Sequence, residues 1–136
     1  AGLIGFHARH KLIIMSHDQI YYQKLGRLVA SAGKQDVAEK SKEYLLELMA
    51  GLKIRATRKN HVNVLQHIQG YLKNYLDKED KQEMIQTIEN YRTGMVPLIV
   101  PITLLNHFFR KHPNDYIENS WYMRPYPAEL SLQNTI

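Results

Sequence analysis

Apolar residues recur at helical spacing along most of the chain, and no useful stretch alternates apolar and polar positions as a half-buried strand does. The pattern predicts an all-α bundle of about six helices in one domain over residues 1–136, with no internal repeat or low-complexity tract. The first helix covers about Gly2 to Ser16 and is apolar nearly all round, as in a buried central helix; only Gly5, Arg9 and Ser16 share a polar strip. Asp18 can cap a second helix that carries Tyr21, Leu25, Leu28 and Val29 on one face and closes at Gly33. A third begins at Asp36 and ends near Gly51. It turns Val37, Tyr44, Leu45, Leu48, Met49 and Leu52 inward, with Lys40, Lys42, Glu43 and Glu47 outward.

Asn60 can cap a fourth helix from His61 to about Leu76, whose apolar arc holds Val62, Val64, Leu65, Ile68, Tyr71, Leu72, Tyr75 and Leu76. Gly70 lowers the propensity of that helix, which points to a second helix approaching its backbone there. Asp77, with Asp80 three residues on, starts a fifth helix that faces Met84, Ile85, Ile88 and Tyr91 inward and stops at Gly94. Pro97 and Pro101 impose an apolar turn before a sixth helix from about Pro101 to Lys111. From Pro113 the chain reads as a short helix and then an extended tail pinned by Trp121, Tyr122 and Tyr126, with Pro125 and Pro127 among them.

Two segments interrupt the apolar pattern with basic groups. On the first helix His7, His10 and Lys11 project among Leu3, Ile4, Phe6 and Ile14. Burying an unpaired cation is costly, so these groups are either hydrogen-bonded core histidines beside a snorkelling lysine, or the lining of a basic pocket. The second segment, Lys53 to Lys59, carries Arg55, Arg58 and Lys59, with His61 in the helical turn that follows. Helix N-termini favour anions, so Arg55, Arg58 and His61 read either as a phosphate site or as solvated loop.

Other chemistry is sparse. There is no Gly-rich phosphate loop, Rossmann fingerprint, Gly-x-Ser-x-Gly elbow or His-Glu-x-x-His motif, and no nucleophile is marked. The spacings of His7 with His10 and of His61 with His67 could suit a metal. Without a carboxylate-rich motif beside them, the expectation is no metal and no cofactor. Tyr21, Tyr22, Tyr122 and Tyr126 are the tyrosines expected to be open for base stacking.

Charge distribution says where to look for a partner. The chain carries +5, but residues 1–73 hold 12 basic and 5 acidic groups (+7), whereas residues 74–136 hold 6 and 8 (−2). An anionic partner therefore belongs with the front half. With no cysteine, disulfide scaffolds, thiolate catalysis and cysteine-ligated zinc or iron–sulfur sites are excluded for this chain. No apolar run reaches the roughly 18 residues of a membrane span, and the longest, Met95 to Leu105, contains Pro97 and Pro101. The start at Ala1, without Met or signal-peptide features, reads as a cytoplasmic piece cut from a longer polypeptide.

Three segments together are specific: Gly5-Phe6-His7-Ala8-Arg9-His10-Lys11; Thr57-Arg58-x-x-His61-Val62-Asn63-Val64-Leu65-Gln66-His67-x-x-Gly70-Tyr71; and Tyr91-Arg92-x-Gly94-x-Val96-Pro97-Leu98-x-x-Pro101. With the Leu25-Gly26-Arg27-Leu28 run and the Trp121-Tyr122-x-x-Pro125-Tyr126-Pro127 tail, the chain resembles the YbgA-like family over essentially its whole length. That family is a bacterial domain of unknown function. It occurs alone or behind a cysteine-bearing desulfidase domain that holds an iron–sulfur cluster and removes sulfur from thiolated uracil bases, including thiouridine in tRNA. The resemblance implies a non-catalytic accessory module that helps to bind tRNA or other RNA beside a desulfidase domain in cis or in trans. Any desulfidase chemistry would lie in that other, cysteine-bearing domain.

The residues expected to form a phosphate-facing surface are His7, Arg9, His10, Lys11, Arg27, Arg55, Arg58, Lys59, His61, His67 and Arg92, with Asn63 and Gln66 available to a base or sugar. On this view tRNA binding weakens with salt and on changing Arg55 and Arg58 to Ala. Two alternatives stay open. One is a protein-interaction or oligomerisation module without nucleic acid, marked by an extensive exposed apolar patch or a stable dimer. The other is a catalytic pocket, which requires His7, His10, His61 and His67 to converge with Arg9 and Arg92.

Overall fold

A computed structural model of the chain describes residues 2–32 and 37–124, and among these the fold is all-α, with no strand. In order, the helices are α1 Gly2–His17, α2 Gln19–Ser31, α3 Val37–Leu52, α4 Arg58–Gly70, α5 Lys78–Arg92, α6 Ile99–Lys111 and α7 Asp115–Glu118, closed by a 3₁₀ turn at Trp121–Met123. The stop expected at Gly33, the start at Asp36 and the stretch Pro125, Tyr126 and Pro127 lie outside the described residues.

Helix ends follow side-chain chemistry. Asp18 and Asp77 act as N-caps, their carboxylates accepting from the N–H groups of Tyr21 at 3.0 Å and Asp80 at 2.8 Å. For α4 the cap is Thr57 rather than Asn60. The Thr57 hydroxyl accepts from the Asn60 N–H at 3.1 Å, which draws Arg58 into the first turn. The Asn60 amide is then available to donate to the His17 carbonyl at 3.2 Å, tying the start of α4 to the end of α1.

At its other end α4 stops at Gly70 instead of running to Leu76, and bonds of i→i+3 type wind residues 71–75. A Cβ on Gly70 would meet nothing within 4 Å, so no helix crowds it, contrary to expectation. Gly94 closes α5 with a φ of 84°, a left-handed conformation that glycine adopts without strain. Pro101 lies inside α6, not at its start. The helix begins at Ile99, and in the first turn the missing N–H of proline forfeits no intrahelical bond.

Two apolar cores share α1. The larger joins Leu12 and Met15 to buried side chains of α4, α5, α6 and the tail, including Leu65, Met84, Leu105 and Tyr122. The smaller packs Ile14, Leu25, Tyr44 and Leu48 between α1, α2 and α3. Gly51 belongs to this second core: a Cβ there would lie 3.0 Å from the Tyr21 side chain, so close packing selects glycine, and α3 continues past it to Leu52.

The burial pattern departs from the periodicity at identifiable places. Ser16 is buried rather than on a polar strip, its hydroxyl donating to the Ile13 carbonyl at 2.6 Å, and Ile4 stands exposed near the start of α1. On α3, Tyr44 and Leu48 face α1 and α2, but Val37, Leu45, Met49 and Leu52 are exposed. A helix packed from one side buries one stripe only. Ile85 of α5 is exposed for the same reason, and Tyr75, also expected inside, is exposed in the turns beyond the end of α4.

Candidate functional site

The basic and aromatic residues sort into two settings. The first is interior, where α4 meets α5 and the tail. The His61 ring is 1% exposed and its Nδ1 shares a 2.6 Å hydrogen bond with the Tyr122 hydroxyl. Burial, then the nearby charges of His17 and Arg58, lower the His61 pKa to about 4, so the ring is neutral at pH 7. Tyr122 is pushed well above the usual phenol range by its own burial. Arg58 lies over the Tyr91 ring, 4.7 Å from its centre, and donates to the Tyr91 carbonyl at 2.6 Å. Among the described residues, three buried polar atoms here and nearby have no partner: His61 Nε2, the Tyr91 hydroxyl oxygen and Ser120 Oγ.

The phosphate site expected at Arg55, Arg58 and His61 is therefore not assembled. Arg58 is committed to Tyr91, His61 to Tyr122, and Arg55 stands exposed in the preceding loop. His61 is a core histidine, and its place among the ligand-facing residues is corrected accordingly.

The second setting is a belt on the surface where α1 meets the tail and α4. Arg9 lies over the Trp121 ring at 5.8 Å, and His10 meets the same ring edge-on at 4.7 Å while stacking on Phe6 at 4.1 Å. His10 Nδ1–H donates to the Phe6 carbonyl at 2.8 Å. One residue on, Lys11 lies 4.8 Å over the Tyr116 ring, which stacks on Tyr71; Tyr71 in turn meets His67, and His67 meets Tyr22. Trp121 and Tyr116 are exposed, at 54% and 60%. Among the described residues the ion pairs are Lys24 with Glu47, Lys40 with Glu43 and Arg92 with Glu89, so Arg9 and Lys11 rest on rings and not on carboxylates.

Burial, and after it Lys11, tunes the histidines nearby. His7, bonded through Nδ1 to the Tyr44 hydroxyl at 2.8 Å, has its pKa lowered to about 4 by burial, then by Lys11 and His10. Burial raises the Tyr44 pKa to about 12, so that pair is neutral. His67 is lowered in the same way, by packing round its ring and then by Lys11. At pH 7 the positive charge of the belt is thus carried by arginine and lysine rather than by His7 or His67.

The remaining expected residues are dispersed. Arg27 and Lys59 are exposed on α2 and α4, Asn63 is half-buried, and Arg92 forms a two-pronged ion pair with Glu89 one turn back. Gln66 lines a cleft of about 230 Å³ with Gln69, Gly70, Lys73 and Lys81. His61 answers to His17 and Arg58, His7 and His67 to Lys11, and His10 to Phe6 and Trp121, so no single His/Arg cleft forms. Of the tyrosines expected to be open for stacking, Tyr122 is buried, Tyr21 and Tyr22 are half-buried, and Tyr126 lies outside the described residues. Sequence reasoning missed Tyr116 and Tyr71 as belt members, and took Trp121 only as a pin for the tail. Among the described residues no three His, Asp or Glu side chains gather to hold a metal, and no helix is long and apolar enough to cross a membrane.

The chain is similar to known proteins in sequence. The family described as "Protein of unknown function (DUF1722)" matches residues 11–127. The chain is also similar to "Uncharacterized protein YbgA" of Escherichia coli (strain K12), 29% identical over 135 residues, covering 98% of this chain and 80% of that protein. No solved structure matches the chain.

Proposed function

The chain belongs to the DUF1722 family, and from that premise we propose that it is a non-catalytic accessory module that binds RNA, tRNA included, in the cytoplasm beside a desulfidase domain supplied in cis or in trans. The observation that carries this is the belt of α1 and the tail, where Arg9 and Lys11 are laid on the exposed rings of Trp121 and Tyr116. A cation on a ring keeps its charge available to a phosphate, and the neighbouring aromatic faces can take unstacked bases, as single-strand binders do. Unpaired loops and ends therefore suit the belt better than a continuous duplex, whose bases are closed to stacking. The +7 charge of residues 1–73 steers a polyanion toward the same half of the chain.

Trp121 is the sole tryptophan, so its fluorescence reports directly on this face. Titration with tRNA, and with a single-stranded RNA, is expected to quench it saturably at low salt. The affinity should fall with a log–log salt slope of about −0.7 for each phosphate neutralised on a single strand. Replacing both Arg9 and Lys11 by Ala should flatten that slope and weaken binding about tenfold or more. No binding at low salt, or binding unchanged in the double variant, overturns the proposal.

A further inference from the structure

Neither backbone nor packing asks for a glycine at position 70. Among the described residues only Gly94 has a left-handed φ, and a Cβ on Gly70 would meet nothing within 4 Å. Glycine lowers helix propensity there, and no neighbouring helix accounts for it. What faces Gly70 is space: a half-open cleft of about 230 Å³ between the end of α4, the turns that follow it and α5. Gln66, Gln69 and Gly70 share one face of α4 and line one side of this cleft. Leu72, fully buried, and Ile85, half exposed, give it apolar surface. Lys73 reaches it from the turns and Lys81 from α5. No carboxylate lines the cleft, and among the described residues neither lysine is in an ion pair.

We propose that this cleft binds a nucleoside monophosphate, with the base inside against Leu72 and Ile85 and the phosphate at the mouth on Lys73 and Lys81. The lining selects each part of the ligand. Two lysines without an acidic partner match a phosphate monoester, which carries close to two negative charges at pH 7 and three acceptor oxygens, better than a single carboxylate. Each glutamine amide offers a donor and an acceptor, which suits the edge of a nucleobase, and the apolar side chains suit its faces. The volume is below the roughly 300–1,000 Å³ of sites for drug-sized ligands, so one base fills it and the sugar and phosphate stay at the open side. Glycine at position 70 keeps the cleft open, because any side chain there would occupy the space the base takes.

The test is isothermal titration calorimetry at low salt with the 5′-monophosphates of adenosine, guanosine, cytidine and uridine, and with the four nucleosides and inorganic phosphate as controls. At least one monophosphate is expected to bind saturably, about tenfold or more tighter than its nucleoside and than inorganic phosphate. Lys73→Ala and Lys81→Ala should each weaken it about tenfold. Gly70→Leu should abolish binding while its melting temperature stays the same or rises, since leucine favours the helix and its Cβ meets no neighbour. A short RNA with a 5′-phosphate carries the same terminal group. If it binds in a manner lost in Gly70→Leu while free monophosphates do not bind, the cleft takes RNA ends rather than free nucleotides. Absence of binding by both sources, inorganic phosphate binding as tightly as the monophosphates, or binding that survives Gly70→Leu overturns the proposal. Arg9, Lys11 and Trp121, which carry the RNA reading, do not line the cleft, so either reading can fail alone.

Discussion

Arg58 and Arg9 both lie on aromatic rings, yet one serves the interior and the other faces solvent. The ring under Arg58 is Tyr91, 1% exposed, and the guanidinium also donates to the carbonyl of the same residue. The ring under Arg9 is Trp121, 54% exposed. The histidines of α4 repeat the contrast: His61 is sealed against Tyr122, whereas His67, nearly two turns on, stands at the rim of the belt. Residue type therefore does not decide role here. What decides it is whether the aromatic partner is inside or outside the core, because an interior cation must be satisfied by the fold while an exterior one can be satisfied by a ligand.

That contrast can be broken by acid, which has the largest expected effect on the interior cluster. His61 titrates near 4 when folded and near 6.5 when unfolded. Between those values the unfolded chain binds more protons, so stability is fully present above about pH 6.5 and is lost as the pH falls toward 4. His7 adds to the loss in the same direction. For His61 alone the loss is on the order of 3 kcal/mol, read from urea midpoints across that range. A stability flat from neutral pH down to 4 would contradict the buried neutral state.

Next in size is Tyr122→Phe, which removes the partner of His61 Nδ1 and leaves both ring nitrogens unsatisfied; about 1–3 kcal/mol of stability should go with it. Tyr91→Phe sharpens this, because the hydroxyl it removes has no partner. It should leave the unfolding midpoint unchanged or slightly raised. Arg92→Ala is also expected to change stability little, because its ion pair with Glu89 is exposed and screened by solvent. RNA affinity should follow none of these stability changes while the variants are folded.

Much of the helical framework is legible from local chemistry, since the caps Asp18 and Asp77, the stop at Gly94 and the apolar repeats of α4 and α5 involve residues within one or two turns. The segments rich in His, Arg and Lys also stand out as departures from apolar periodicity. The rest depends on distant contacts. Lys11 meets Tyr116 and Arg9 meets Trp121 across more than a hundred residues of chain, and no spacing encodes that. The inward turn of Arg58 and His61 follows from capping by Thr57 rather than Asn60 together with the seat that Tyr91 and Tyr122 provide. The exposed stripe of α3 looks like core by periodicity alone, because periodicity reports an apolar face without saying whether anything covers it.

The central claim is that position on the belt, and not net positive charge, governs RNA binding. Arg9→Ala and Arg58→Ala each remove one positive charge, which makes them the most direct comparison. Affinity for a single-stranded RNA at low salt and thermal unfolding should be measured on both variants and on the unmodified chain. Arg9→Ala is predicted to weaken binding several-fold with an unchanged melting temperature, and Arg58→Ala to lower the melting temperature with binding unchanged below it. Equal losses of affinity in the two variants, or a loss confined to Arg58→Ala, would contradict the account.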